Sequence, residues 1–330
     1  MTYKNNLTLS FLMLLIISTV HSENVRGPMA GVIQFDGSSE ETVLANIESL
    51  LAVTLSESIS PLIQGIKLTI SGPEGMSLYR NSFALYIYEN LNKNPVMNQM
   101  SYRGTQSYMR FMDFEKNVSF LIPLSDNHTM SPDRSSYMVS EDNKGDDFPL
   151  LFTILPITKG IPNSIYQEKI NYHFSPVYFE KGSLQLNVFD KMGNPVKKNL
   201  YFQIDGNRVL NLSEPVIFET GLHTLTIRSD SGNEETLQFS LSPGESLVLD
   251  HILQLQYPTL RIDTIDGMKV FLNGKLIEES VLAQSFEIEP GNHVIRFEIG
   301  DYQLSREFNA EMQDSYRITM IPEILLEKQR

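Results

Sequence analysis

The sequence contains no cysteine and no tryptophan. Without cysteine the chain can form no disulfide, and thiol catalysis, cysteine-bound zinc and iron–sulfur clusters are excluded. Small secreted domains with insufficient cores usually rely on disulfides. A chain of 330 residues is long enough for two or three domains that are held together by apolar cores alone.

Basic clusters are also missing. Asp and Glu outnumber Lys and Arg by 40 to 26, the net charge is −14, and the longest basic run is Lys197-Lys198. A protein that grips a phosphate backbone needs a concentrated basic surface, so nucleic acid is not expected as a partner. Anionic lipid headgroups would be repelled for the same reason.

Local catalytic motifs are absent as well. The chain has no Gly-x-Ser-x-Gly elbow, no His-x-x-x-His zinc spacing and no glycine-rich phosphate loop. We therefore predict no catalytic residue, no cofactor and no metal site. Residues 142–147 carry acidic oxygen ligands, but their spacing differs from that of a calcium loop and Lys144 lies among them. Paired carboxylates for glycoside cleavage come together only in space, so that alternative stays open.

The amino terminus has the organisation of a secretory signal peptide. Lys4 precedes an apolar run over 9–20, and a small residue, Ser22, follows it. The run is shorter than the about 20 residues of a spanning helix, so we predict a signal peptide at 1–22 and no membrane segment after cleavage. An uncleaved anchor is the alternative. Export without disulfides favours the bacterial periplasm, the cell surface or secretion as the location.

Residues 28–180 are predicted to form an irregular β-sandwich. Runs of β-branched and aromatic residues bounded by turn residues are typical of strands. Such runs lie at 62–70, 83–88, 109–114, 118–122 and 150–155. In 38–51 a capping-box spacing and an apolar helical face favour a helix, whereas alternation from Leu51 favours a strand, and both alternatives stay open. The polar connection 125–147 is predicted to be either functional or disordered.

One pattern occurs twice in residues 183–322. In each copy an alternating strand is followed by a second strand that ends in Asp205-Gly206 or Asn273-Gly274, and then by a Gly-x-His turn. Two tandem copies of one small β-sandwich are predicted, at 183–256 and 257–322, with a tail at 323–330. Because His223 and His293 occupy equivalent positions, we predict a structural role for both.

The repeat also predicts which side chains are buried. Alternation along the strands places one apolar residue of each strand towards the core. The residues predicted to be buried are Val188, Ile204 and Ile227 in the first copy and Ile262, Val270 and Ile295 in the second.

Turn motifs in the second copy carry a resemblance to a known family. They are the hairpin 267–275, the turn Glu289-Pro290-Gly291-Asn292-His293 and the triplet Gly300-Asp301-Tyr302. In these motifs the copy resembles the PEGA domain, a small β-sandwich of many bacterial and archaeal envelope proteins, although Met268 replaces the expected alanine. PEGA modules are typically non-catalytic adhesion or spacer units. The resemblance therefore implies a binding or structural role and no active-site residues.

Several tyrosines lie in the first predicted domain. Exposed tyrosines stack on sugar rings or anchor protein partners, so Tyr79, Tyr102 and Tyr108 are predicted contacts with a partner or glycan. Packing within the sheet is the alternative for these side chains.

Two functions follow for this all-β chain. The first is an exported, non-catalytic envelope protein with a binding or structural role, in contact with peptidoglycan, a polysaccharide or another envelope protein. The alternative is a secreted carbohydrate-active enzyme with its site in 28–180 and the repeats as accessory modules. The enzyme would need a cleft there that holds two facing carboxylates or a Ser–His pair.

Overall fold

The computed structural model describes residues 22–230, 234–282 and 284–320. The chain divides into two compact units, Met1–Lys181 and Gly182–Arg330. It is all-β, as predicted, and the α-helices of the described residues, α1 (Asn163–Tyr166) and α2 (Glu279–Leu282), have four residues each. No helix in these ranges has the length and apolar character needed to cross a bilayer. The predicted tail and all of the predicted signal peptide except Ser22 lie outside the described residues.

The first unit is built from two sheets. Its strands are β1 (Ser22–Arg26), β2 (Met29–Phe35), β3 (Glu41–Ala45), β4 (Leu50–Leu55), β5 (Ile63–Ser71), β6 (Phe83–Glu89), β7 (Ser101–Met112), β8 (Val118–Pro123), β9 (Ser136–Met138), β10 (Leu150–Pro156) and β11 (Ile170–Tyr178). Short 3₁₀ helices lie at Glu74–Leu78 and Gly145–Asp147. One sheet has the strand order β1-β7-β6-β10-β4-β2, and the other has the order β3-β11-β5-β8-β9.

These two sheets contribute to one apolar core. Alternate residues of a strand point to opposite faces, so Leu51 and Phe152 of the six-stranded sheet meet Leu68 and Phe174 of the five-stranded sheet in one cluster. The rings of Phe152 and Phe174 meet edge to face at 5.7 Å. A smaller cluster, which includes Leu50, takes the side chains of the opposite face of the six-stranded sheet.

Residues 38–55 contain two strands, β3 and β4, so the helical alternative is wrong. Glu41–Ala45 pairs with β11, and Leu50–Leu55 lies between β10 and β2. The connection 125–147 includes β9, and the backbone N–H of Thr129 donates to Gln64 Oε1 at 2.7 Å. Hydrogen bonds therefore hold this connection against the five-stranded sheet.

The second unit contains two copies of one arrangement. The strands of the first copy are β12 (Lys181–Phe189), β13 (Leu200–Ile204), β14 (Asn207–Val209), β15 (Val216–Glu219), β16 (Gly221–Ser229), β17 (Glu234–Leu241) and β18 (Ser246–Ile252). Those of the second are β19 (Thr259–Asp263), β20 (Lys269–Leu272), β21 (Lys275–Ile277), β22 (Phe286–Glu287), β23 (Gly291–Ile299), β24 (Tyr302–Ala310) and β25 (Ser315–Thr319).

The two copies share their strand order. The first has sheets β15-β12-β18 and β14-β13-β16-β17, and the second has β22-β19-β25 and β21-β20-β23-β24. Each copy has its own apolar cluster. The six side chains that the repeat predicts to be inside are buried, with Ile227, Val270 and Ile295 at 0% exposure.

A buried hydrogen bond joins the two copies. Tyr257, on the connection between them, donates its hydroxyl hydrogen to Asp190 Oδ2 at 2.8 Å. The ammonium group of Lys191 lies 4.7 Å from the centre of the Tyr257 ring and pairs with Glu287 of the second copy. The two copies are therefore joined by side-chain contacts of Tyr257 and Lys191, next to the short segment between β18 and β19.

Candidate functional site

The three predicted contact tyrosines are placed against the core of the first unit. Tyr102 is 1% exposed, and its hydroxyl bonds to the backbone of Val96, so its ring is not available to a partner. Tyr79 and Tyr108 are half-buried against the main cluster. Burial also raises the pKa of Tyr108. The structure does not bring the three side chains together on one surface.

A hydroxyl, an imidazole and a carboxylate do meet in the first unit. Thr42 and His173 are direct cross-strand partners on β3 and β11, with Thr42 Oγ1 3.0 Å from His173 Nδ1. The Glu40 carboxylate lies 3.4 Å from His173 Nε2. This row lies on the solvent face of the sheet, where the Glu40 side chain is 65% exposed. The contact between Thr42 and His173 follows from the strand register.

In the acidic segment 142–147, the ammonium group of Lys144 pairs with nearby carboxylates. Lys144 Nζ donates to Asp147 at 2.8 Å and to Glu89 at 3.0 Å. Within the residues that the structure describes, no three His, Cys, Asp or Glu side chains are grouped so that they could hold a metal ion.

His223 locks a turn of the first copy. Asp205-Gly206 forms the two-residue turn between β13 and β14, with φ of 51° and 80°. Asp205 Oδ2 lies 2.7 Å from His223 Nδ1, and the Glu219 carbonyl lies 2.8 Å from Nε2. Both ring nitrogens therefore face acceptors, which an imidazolium satisfies. The hydrogen bond to Asp205 raises the pKa of His223.

The second copy repeats this arrangement with a neutral partner. Asn273-Gly274 has φ of 51° and 80°, and the Asn273 Oδ1 accepts from the backbone of Val294 at 3.0 Å. The amide nitrogen of Asn273 then donates to His293 Nδ1 at 2.9 Å, so the ring nitrogen Nδ1 is the acceptor. We call these two arrangements the histidine latches. In each latch both ring nitrogens face partners within the fold.

A polar surface with an exposed aromatic ring lies on the first copy. It is the outer face of the sheet β14-β13-β16-β17, and a shallow cavity of about 430 Å³ lies against it. The side chains of this sheet face come from neighbouring strands in direct register. Those that line the cavity are Tyr201, Gln203, Arg208, Thr226, Arg228, Asp230 and Glu234.

Tyr201 stands between two arginines on this face. Its side chain is 46% exposed and lies directly across from Arg228 on β16. The guanidinium of Arg208 lies 6.0 Å from the centre of the Tyr201 ring. Within the described residues, neither arginine forms an ion pair or a hydrogen bond through its side chain. Two cationic groups therefore remain available beside an exposed aromatic ring.

On the corresponding face of the second copy, the arginine side chain is paired within the fold. Arg296 lies over the ring of Phe271 at 4.3 Å, and its guanidinium is 3.2 Å from the Glu298 carboxylate. The two copies share a fold, but only the first presents free arginines on this face among the described residues. This difference identifies the outer face of the first copy as the candidate site.

Sequence reasoning missed these residues. Arg228 follows the buried Ile227, and Tyr201 and Gln203 lie on either side of the buried Phe202, so alternation places all three on the outer face. Their convergence depends on which strands are neighbours, and that is not visible in a local pattern.

Comparisons with known proteins leave the family open. No protein-family model matches the sequence, and no curated protein matches it. Among solved structures, the pilus adhesin SpaC from Lactobacillus rhamnosus GG is similar, with 8% identity and a TM-score of 0.24. The match covers 75% of this chain and 35% of the adhesin. A likeness at this level carries no argument about function.

Proposed function

We propose that this chain is an exported, non-catalytic protein of the cell envelope that binds an acidic glycan through the outer face of its first repeat copy. The observation that carries the proposal is the pair Arg208 and Arg228 around the exposed ring of Tyr201. The PEGA-like turn motifs of the second copy fit a binding or spacer role, and the two histidines are used within the fold.

The two arginines offer contacts to an anionic ligand, beside the carboxylates of Asp230 and Glu234 that also line the cavity. Arginine binds a carboxylate through two parallel hydrogen bonds, and such charge-assisted bonds are the strong ones. Arg208 and Arg228 supply two such donors within one cavity.

The remaining side chains support a sugar ring. Tyr201 offers an exposed aromatic face, on which the apolar side of a sugar can stack. Gln203 and Thr226 are cross-strand partners between the arginines, and Glu234 lies directly across from Arg228. Amide, hydroxyl and carboxylate groups suit sugar hydroxyls, which both donate and accept hydrogen bonds.

Calorimetric titration with trigalacturonic acid tests the ligand. Its methyl ester has the same rings without the charge, so the acid is expected to bind and the ester to bind much more weakly. The double variant Arg208→Gln/Arg228→Gln should weaken binding of the acid by about tenfold or more, because it removes both charge-assisted contacts. Salt should weaken binding of the acid by the natural chain.

The control is a variant matched in charge on the second copy. Lys269→Gln/Arg306→Gln removes two exposed positive charges outside the cavity, and it should leave affinity for the acid close to that of the natural chain. Equal affinity for acid and ester would reject recognition of the carboxylate. Equal loss in both double variants would show that net charge alone acts, and that the cavity is not the site.

Export is tested separately. Protein recovered from the envelope fraction of its native host should have the intact mass of a chain that begins at Glu23. A mass that includes residues 1–22 would show that the apolar run is kept as an anchor.

A further inference from the structure

The first and last strands of each repeat copy run side by side in the same direction. In the first copy β12 pairs with β18 over seven positions, from Ser183 opposite Ser246 to Phe189 opposite Ile252. In the second copy β19 pairs with β25 over the five positions Thr259–Asp263. The chain therefore enters each copy at one end of this strand pair and leaves it at the other end. We call each pair a terminal strand pair.

Tension on the chain acts along the terminal strand pairs. A pull on the two ends of a copy draws the first strand backwards and the last strand forwards, so the two neighbours are loaded in opposite directions. The hydrogen bonds of a parallel ladder are evenly spaced along the strands, and all of them share this load. We propose that the two repeat copies in residues 182–320 act as a tension-bearing spacer.

Side chains also bridge the terminal strand pair of the first copy. The Ser183 hydroxyl donates to the Ser246 hydroxyl at 3.1 Å near the start of the pair. Further along, Asn187 Nδ2 donates to Asp250 Oδ1 at 2.8 Å. Sliding of β12 past β18 would break both of these contacts together with the backbone ladder.

The second copy carries bridges at the equivalent places. The Thr259 hydroxyl donates to the Ser315 hydroxyl at 2.9 Å at the start of the pair. Near the end, Arg317 Nε donates to Asp263 Oδ2 at 2.5 Å. On the first strand the second bridge uses equivalent positions, Asn187 and Asp263, but on the last strand Arg317 lies two residues before the position equivalent to Asp250. Two independent pairs of side chains thus reinforce the same two strands in both copies.

The joint between the copies leaves little slack. The backbone N–H of Leu253 donates to the Phe189 carbonyl at 2.8 Å, which extends the first ladder beyond β18. Tyr257 then bonds to Asp190, and β19 begins at Thr259. Tension that leaves the first terminal strand pair therefore passes into the second within a few residues.

Force spectroscopy with two attachment geometries tests the proposal. The chain has no natural cysteine, so introduced pairs give unique handles. Glu180→Cys with Gln256→Cys loads the start of β12 and the end of β18, which is the sliding geometry. Glu180→Cys with Pro243→Cys loads both strands at the same end, which peels them apart one bond at a time. Both second positions are exposed.

The sliding geometry should require a several-fold higher unfolding force at the same pulling speed, because forced unfolding reports the barrier and this barrier involves the whole ladder at once. Melting temperatures of the two variants should agree with each other, which controls for damage by the substitutions. Equal unfolding forces in the two geometries would overturn the proposal.

The bridges give a second measurement. Asn187→Ala should lower the force in the sliding geometry. Gln185→Ala is the matched control, because Gln185 lies on the same strand but bonds to the Ser213 carbonyl, outside the terminal strand pair. Equal loss of force in both variants would show that the Asn187–Asp250 bridge carries no particular load, and would count against the proposal.

Discussion

The two histidine latches differ by one atom type at one residue. Asp205 in the first copy is replaced by Asn273 in the second, and the ring of each histidine otherwise stacks in the same way, on Phe239 at 5.2 Å and on Phe308 at 5.4 Å. The Asp205 partner turns the first latch into an ion pair when His223 is protonated. The charge state of His223 should therefore affect the stability of the first latch.

Stability of the first copy should fall as the pH rises past neutrality. The pKa of His223 is raised above its ordinary value of 6.5 by Asp205, so its contribution is complete below pH 6.5 and is lost as the pH rises through the folded-state pKa. The hydrogen bond from His223 lowers the pKa of Asp205 below 3.8, so that contribution is lost only at more acidic pH.

Thermal unfolding at pH 5.5 and pH 8.5 measures this effect. The natural chain should lose more stability between these two values than the variant Asp205→Asn, in which the first latch has the composition of the second. Other titrating groups are common to both proteins and cancel in the comparison. An identical change with pH in the two proteins would contradict the ionic latch.

Ile295 offers a test of the core of the second copy. It is fully buried, so Ile295→Ala should lower the free energy of unfolding by about 2–5 kcal/mol through lost burial and a residual cavity. Val294 precedes it on β23 and is 43% exposed, so Val294→Ala should change stability by no more than about 0.5 kcal/mol. Urea unfolding followed by circular dichroism compares them, and similar effects would show that the strand register is wrong.

Among the elements, the long connection 125–147 carries a partly buried cation, Lys144. The Lys144 side chain is 16% exposed and lies between Glu89, which is 14% exposed, and Asp147. Burial lowers the pKa of Lys144, but its hydrogen bonds to Asp147 and Glu89 outweigh this, so the pKa is raised overall. The ammonium group thus stays charged in the fold and ties the connection to the end of β6.

Removal of that charge should loosen the connection. Lys144→Met leaves two partly buried carboxylates without their partner, which should cost about 1–3 kcal/mol. Amide hydrogen exchange should become faster in 139–147. Lys116→Met, at an exposed turn, is the control and should leave exchange in this segment unchanged. Unchanged exchange after Lys144→Met would show that other contacts hold the connection.

Local sequence patterns predict some of these elements better than others. Strands β5, β6, β8 and β10 are apolar and β-branched along their length, so composition alone indicates them. The strand predicted at 109–114 is in fact β7, Ser101–Met112, whose polar first half is a strand because it pairs with β1. At 38–55 the apolar pattern suits a helix or a strand equally, and pairing with β11 and β10 decides between them.

The candidate site could not be predicted from local sequence patterns, because it too depends on which strands pair. The tyrosines near 79–108 attract attention because they are close in sequence, yet Tyr102 is buried. Tyr201, Arg208 and Arg228 are ordinary outward positions of three different strands. Only the order of the strands in the sheet makes them neighbours. The repeat, by contrast, can be predicted from the sequence, because it is found by aligning one stretch of the chain with another.

At the scale of the whole second unit, Tyr257 couples the two copies. Its ring is 7% exposed, and burial together with the Asp190 carboxylate raises the pKa of Tyr257 to about 12. Tyr257→Phe keeps the ring but removes the bond to a buried carboxylate, which should cost about 1.5–3 kcal/mol. Hydrogen exchange should rise on both sides of the joint, at 189–194 and at 256–259.

Tyr302→Phe is the control for this change. Its side chain is 81% exposed, so loss of the hydroxyl should alter neither stability nor exchange at the joint. If Tyr257→Phe has as little effect as Tyr302→Phe, the hydrogen bond between Tyr257 and Asp190 does not couple the copies.

The strand order of the first unit has a consequence for the time course of folding. In the five-stranded sheet, β3 pairs with β11, which joins residues 41–45 to residues 170–174. During synthesis, β3 and the apolar strand β5 are made long before β11 and cannot pair with it until it appears. Contacts between residues this distant in sequence form slowly. Each repeat copy closes with far less chain. Truncation before residue 170 should therefore leave an aggregating product, whereas the repeats fold soon after they appear.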